Sequence, residues 1–122
     1  MILADTSVWV DHFRSGDDQL RKELTGRRIL MHPFIVAELS LGSLRDRTKT
    51  LAFLDLLPQA RVAQLSEVRQ MIEARSLYSR GIGLTDAHLI ASIFLNPSTL
   101  LWTKDKRLRG IAEALGIHAN IS

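Results

Sequence analysis

The chain has 122 residues and no cysteine, enough for one domain with a proper core, and it excludes a disulfide framework or a thiolate metal site. Sixteen Lys and Arg against thirteen Asp and Glu give +3, and twelve of the sixteen are arginine, whose planar fork suits phosphate and so an anionic partner. The first residues carry no basic n-region, and the longest uncharged stretch, Ala87–Thr103, holds His88 and Asn96-Pro97, so neither a signal peptide nor a membrane span is expected and the expected compartment is the cytoplasm.

In chain order, Ile2–Ala4 is a short apolar strand ending on Asp5. Ser7–Arg14 reads as a helix, and Asp17–Leu24 as a second, more polar one stopped by Thr25-Gly26. Arg28–Met31 is a second strand. Pro33 then opens a helix at its first turn, where a missing N–H costs nothing, and that helix runs to Leu41 before Gly42. Arg45–Leu56 is amphipathic and stops at Pro58. Arg61–Leu65 is predicted as a third strand, and Ser66 with Glu67 begins a helix reaching Tyr78. Gly81 and Gly83 break the chain, and Thr85–Leu95 is helical as far as Asn96-Pro97. Thr99–Thr103 is the fourth strand, Lys106–Leu115 the last helix, and Ile117–Ile121 a fifth, edge strand after Gly116. Short apolar strands alternating with helices predict one α/β domain over residues 1–122 with a mostly parallel sheet.

Ligands bind such sheets beyond the carboxyl ends of the strands. Asp5 and Asp105 stand at two of those ends. Glu38 is the only charged residue from Pro33 to Leu44, and its helical neighbours Phe34 and Leu41 are apolar. Asp86 is the only charged residue from Gly81 to Thr103, beside Leu89 and Ile90. Each has a plain structural account. Asp5 and Asp105 are good helix caps, Asp86 complements a helix dipole, and Glu38 fits a buried arginine partner. Taken together, four acids converging on one sheet edge would raise one another's pKa, and a divalent cation resolves that conflict. An all-oxygen donor set favours Mg²⁺ or Mn²⁺ over Zn²⁺.

The motifs D-T-S (Asp5, Thr6, Ser7), P-x-x-x-x-E (Pro33, Glu38), T-D-A-H-L-I-A-S (Asp86) and L-W-T-K-D (Asp105) together resemble the PIN-domain nucleases, and most closely the VapC toxins of toxin–antitoxin pairs. The likeness spans nearly the whole chain, in order. It implies a three-layer α/β/α domain with a central sheet of four to five strands, and a metal-dependent endoribonuclease. Asp5, Glu38, Asp86 and Asp105 are then the catalytic, metal-binding acids, with Thr6, Ser7 and Thr103 as supporting hydroxyls. It also implies an RNA substrate, tRNA among the candidates, a homodimer, and a VapB-like antitoxin that blocks the site. Many members place the last acid later, after an Arg-Asn pair, whereas here it follows Lys104 directly. Asp105 is nevertheless the only acid between Thr103 and Glu113.

Setting aside the four site acids, sixteen basic residues face nine acidic ones, leaving +7 for an RNA backbone. Arg14, Arg45, Arg47, Lys104, Lys106, Arg107 and Arg109 are the candidates near the expected edge. His12 and His88 read as structural or surface residues, because position 88 faces away from position 86 on a helix. Trp9, Phe13, Phe53 and Trp102 fit core or interface positions, and Val8/Trp9/Phe13 and Leu51/Leu54/Leu57 form apolar stripes. A receiver domain is disfavoured because Ser66 and Glu67 stand where the third strand would need an acceptor Asp. A D-x-D phosphatase is disfavoured because Ser7 holds its second acid position. A non-catalytic RNA- or protein-binding module is the remaining alternative.

Overall fold

Ile2–Ala4 forms the central strand β1 of a parallel sheet in the computed structural model, which describes residues 1–122. β2 (Ile29–Leu30) lies on one edge, with Ile2 opposite Ile29 and Leu3 opposite Leu30. β3 (Leu100–Trp102) lies on the other, where Ile2, Leu3 and Ala4 face Leu100, Leu101 and Trp102. The consecutive residues Leu3 and Ala4 point to opposite faces and both are fully buried. Helices must therefore cover the sheet on both sides, which is why these strands show no polar alternation.

The helices are α1 (Thr6–Ser15), α2 (Asp18–Thr25), α3 (Pro33–Ser40), α4 (Arg47–Leu56), α5 (Leu65–Ala74), α6 (Leu84–Leu95) and α7 (Lys106–Ala114). The sheet has three full strands, fewer than the four to five expected. The expected edge strand Ile117–Ile121 is reduced to one parallel bridge, Leu101 to His118, and the expected strand Arg61–Leu65 is absent; a single parallel bridge, Met31 to Gln59, forms just before it. Met31 N–H donates to Pro58 O at 2.7 Å and Ala60 N–H to Met31 O at 2.7 Å, but pairing stops there. The backbone of Arg61 is taken by α6 instead: its N–H donates to Asn96 Oδ1 and its carbonyl accepts from Ser92 Oγ. Residues 61–64 consequently dock on that helix, and α5 begins at Leu65. It ends at Ala74 rather than at Tyr78, because Ser76 takes a left-handed φ of 52°. On the other edge, Asn120 with φ 58° turns the chain away after His118.

With those bridges included, the lateral order is Gln59, β2, β1, β3, His118. The chain winds outward from β1 to residue 59, then crosses back beyond β1 to β3. Right-handed crossovers in opposite directions put their helices on opposite faces. One face accordingly carries α1, α3 and α4, with α3 touching both of the others, and α5 packs on α6 across the other. The three layers follow, and the winding reverses between β1 and β3. Crevices form at such a reversal.

Trp9, Trp102, Leu3, Ile35, Leu54, Ile90, Leu101 and Leu108 are fully buried and fill the core. The tryptophans are core residues as expected, whereas Phe13 and Phe53 remain 37% and 45% exposed. No helix is long and apolar enough to cross a membrane.

Candidate active site

Asp5 follows β1 directly, and the residue is 4% exposed. It caps α1, but weakly: Val8 N–H donates to Oδ1 at 3.3 Å. Stronger bonds come from two hydroxyls. Ser7 Oγ donates to Oδ1 and Thr103 Oγ1 to Oδ2, each at 2.5 Å. Both hydroxyls are themselves fixed by backbone, since Lys104 N–H donates to Ser7 Oγ and Asp105 N–H to Thr103 Oγ1. The reversal between β1 and β3 thus holds one buried carboxylate in a net drawn from both strand ends. Burial raises the Asp5 pKa, against the lowering effect of the Ser7 and Thr103 bonds.

Asp86 lies in the first turn of α6 and is half-buried; Gly83 N–H donates to its Oδ2 at 3.3 Å. Burial raises its pKa, the Gly83 bond opposes this, and the charges of Asp5, Asp105 and Glu38 push it further up. All four acids therefore share one electrostatic neighbourhood. Glu38 corrects an expectation, for it is exposed rather than set in a buried apolar face. Its neighbour Leu41 is 88% exposed, and Thr6 Oγ1 donates to Glu38 Oε1 at 2.5 Å. Asp105 caps α7 through Oδ1, which accepts from Arg107 and Leu108 N–H at 2.9 and 3.0 Å. Its Oδ2 is left unengaged by that cap.

No three of these acids stand close enough to cage an ion by themselves. Mg²⁺ needs no such cage: it keeps several waters and binds through one or two carboxylates together with phosphate oxygens. The donor set is all oxygen, and the two inner carboxyls are held above their usual range, a conflict that a cation relieves. The residues fit a hard divalent ion.

Residues 2–114 match the PIN domain family model. Ribonuclease VapC32 of Mycobacterium tuberculosis, in each of two strains, is 39% identical over 117 residues, which cover 96% of this chain and 94% of its own. The chain belongs to the PIN-domain family. Within that family it is VapC-like, which agrees with the resemblance carried by its four acidic motifs.

Around this PIN-domain cleft the basic residues sort unequally. Lys104, expected to meet RNA, is instead spent inside the protein, with Nζ at 2.5 Å from Asp11 and 2.6 Å from Asp17. Those two carboxylates raise its pKa. Burial works against ionising Asp17, but the bond and charge of Lys104 together with the Leu20 and Gln19 backbone N–H groups outweigh it and lower its pKa. Arg47 donates to the Ser40 and Gly42 carbonyls after α3, and Arg109 pairs with Glu113 at 2.8 Å. Arg14, Arg45, Lys106 and Arg107 remain exposed and without an ion pair.

The histidines do more than the sequence suggested. His12 Nδ1 accepts from Asp17 N–H at 3.0 Å, joining α1 to the next turn. His32 is fully buried, and its Nδ1 caps α3 by accepting from Phe34 N–H at 3.0 Å. The Phe34 ring in turn lies 4.3 Å from that of buried His88. These rings connect the start of the Glu38 helix to the Asp86 helix. A histidine directly before Pro33 was the available signal for the cap; nothing in the sequence announces the stack.

Proposed function

We propose that this protein is the toxin of a VapBC-type toxin–antitoxin pair, an endoribonuclease that hydrolyses RNA phosphodiester bonds in the cleft beyond β1 and β3. The observation that carries this reading is the convergence at the reversal of the sheet, where Ser7 and Thr103 hold the buried Asp5 carboxylate between two strand ends, and where burial first, then the charges of Asp5, Asp105 and Glu38, disfavour the charge of Asp86. Asp5 and Asp86, the two inner carboxylates, would hold Mg²⁺ or Mn²⁺, and Glu38 and Asp105 would hold its waters. Such an ion supplies a water of lowered pKa and screens charge at the phosphate.

The chain's own residues account for the remaining requirements. Ser7 and Thr103 fix the orientation of Asp5, and Thr6 fixes Glu38. One of the exposed acids, Glu38 or Asp105, accepts the proton that the attacking water gives up, and the departing oxygen takes up a proton from solvent. Attack forms one P–O bond and breaks another, and similarity to the family implies a 5′-phosphate and a 3′-hydroxyl. Nine acids remain outside the site against sixteen basic residues, so an acidic cleft sits in a basic surface suited to RNA. A homodimer in the cytoplasm, neutralised by a VapB-like antitoxin, completes the reading.

The test is cleavage of a labelled RNA panel that includes tRNA, with antitoxin-free protein, in Mg²⁺, in Mn²⁺ and in chelator. Metal-dependent cleavage, paralleled by growth arrest on expression in a host cell, is expected. No cleavage of any RNA by metal-replete protein would leave a non-catalytic binding module.

A further inference from the structure

Arg107 connects the segments that carry Asp86 and Asp105. Its backbone N–H donates to Asp105 Oδ1 at 2.9 Å. Its side chain lies across the turn that leads into α6. A Cβ built on Gly81 would stand 2.9 Å from Arg107 Cδ, 3.0 Å from Nη1 and 3.3 Å from Nε. Gly81 has φ +79°, which favours glycine, and a side chain there would displace the Arg107 guanidinium from its place. Two residues later Gly83 N–H bonds Asp86. The guanidinium thus has a defined seat on the rim between two site acids.

That guanidinium is unspent. Arg21, Arg28 and Arg109 are paired with carboxylates, Arg75 covers the Phe94 ring at 4.1 Å, and Lys104 is shared by two aspartates. Arg107 has no ion pair in spite of the acids around it. An exposed arginine lying over Gly81 at the rim of an acidic cleft, with no side-chain hydrogen bond or ion pair, keeps its fork for an incoming anion, and the anion such a cleft must admit is a phosphodiester.

We infer that Arg107, seated on Gly81, grips a backbone phosphate of the RNA and positions the strand over the acidic cleft. This rests on the ribonuclease reading and assigns one substrate contact within it. Because the contact is to phosphate, it carries affinity without base specificity.

The experiment measures binding of a labelled RNA in chelator across a salt series for wild type, Arg107→Ala, Arg107→Lys, and Arg69→Ala on the remote α5 as control. Losing one phosphate contact should reduce the slope of log K against log salt by about 0.7 to 0.9 and weaken binding uniformly across sequences. Arg107→Lys should keep the slope but bind less tightly, and Arg69→Ala should match wild type. Gly81→Ala should weaken RNA binding in the wild-type background and add nothing in Arg107→Ala, a cycle that cancels the backbone strain common to both. Manganese-induced thermal stabilisation should be the same in Arg107→Ala as in wild type. An unchanged slope in Arg107→Ala, or an equal loss in Arg69→Ala, would overturn the assignment while leaving the nuclease intact. Loss of the manganese response would overturn it too, by making Arg107 a support for the acids. If wild type neither binds nor cleaves RNA, the underlying reading fails with it.

Discussion

The Thr103 hydroxyl donates to Asp5 Oδ2 across 2.5 Å, tying the loop after β3 to the end of β1 over 98 positions of sequence. The same oxygen accepts from Asp105 N–H at 3.0 Å, so one buried hydroxyl aligns two of the four acids. Burial pushes Asp5 toward protonation, and Thr103 is one of the groups that hold it back.

Thr103→Val keeps the shape and removes both bonds. It should cost about 1–3 kcal/mol, the usual penalty for leaving buried polar partners unmade. The Asp5 carboxyl should then titrate at higher pH, observable in a carboxyl-carbon NMR titration. Unchanged stability together with an unchanged Asp5 titration would remove Thr103 from the site.

Lys104 holds the neighbouring turn by a different interaction. Its Nζ is shared by Asp11 and Asp17, whose side chains are 46% and 11% exposed. Lys104→Met leaves two carboxylates facing each other without a cation. A cost of about 1–2 kcal/mol at neutral pH is expected, between the limits for exposed and buried pairs. Asp17 has a lowered folded pKa, so its contribution is present above its ordinary value of 3.8 and is lost as pH falls through the folded value. The gap between wild type and variant in urea unfolding should therefore narrow at acid pH. A gap that does not change with pH would assign the loss to packing alone.

The elements of this fold were largely readable because local signals mark them: Pro33 at a first turn, Asp5, Asp17 and Asp105 as caps, and uninterrupted apolar strands. The outer strands are shorter than their sequence patterns suggest. The pattern in Arg61–Leu65 suits a strand, but Ser92 and Asn96 compete for the Arg61 backbone from 31 and 35 positions away, and no local rule sees that. The acids stood out because each was alone among apolar residues. The role of Lys104 did not, since its partners lie 93 and 87 positions earlier and a lysine beside a site acid reads first as a phosphate contact. Glu38 misled in the opposite sense. Apolar neighbours in sequence do not bury a residue when the helix ends at Ser40 and leaves Leu41 in solvent.

His32 supplies a prediction at acid pH. Burial, with a further push from His88, lowers its pKa to about 4 from the usual 6.5. A base whose folded pKa is lowered contributes stability that is complete above pH 6.5 and is lost as pH falls toward 4. The span corresponds to roughly 3 kcal/mol at most. His32→Asn keeps an oxygen for the α3 cap but cannot titrate, so its stability should vary less between pH 6.5 and 4. Chemical denaturation at several pH values would reveal this, and parallel curves for the two proteins would exclude His32 as the titrating group.

The final prediction separates Asp5 as a helix cap from Asp5 as a cation ligand. As a cap it has a modest value, because Val8 N–H lies 3.3 Å away and capping contributes about 1 kcal/mol at most sites. As a ligand it has a cost in the metal-free protein. Asp5 and Asp86 both have folded pKa values raised above 3.8, so each removes stability as pH rises from 3.8 through its folded value. Asp5→Asn and Asp86→Asn remove the charge and keep an oxygen for the Val8 or Gly83 N–H; at position 5 Ser7 Oγ goes on donating to that oxygen, and only the Thr103 hydroxyl, which faces the other atom, rotates to accept from the new amide. In chelator at neutral pH both variants should be as stable as wild type or more so, and below pH 3.8 that advantage should disappear. With saturating Mg²⁺ or Mn²⁺ the order should reverse. Wild type gains by mass action, about 2.7 kcal/mol at a hundredfold excess over Kd, and the variants gain much less. Thermal unfolding of the three proteins with chelator and with metal decides the matter. Equal metal-induced shifts in all three would return Asp5 to the role of a cap, and would move any metal site elsewhere.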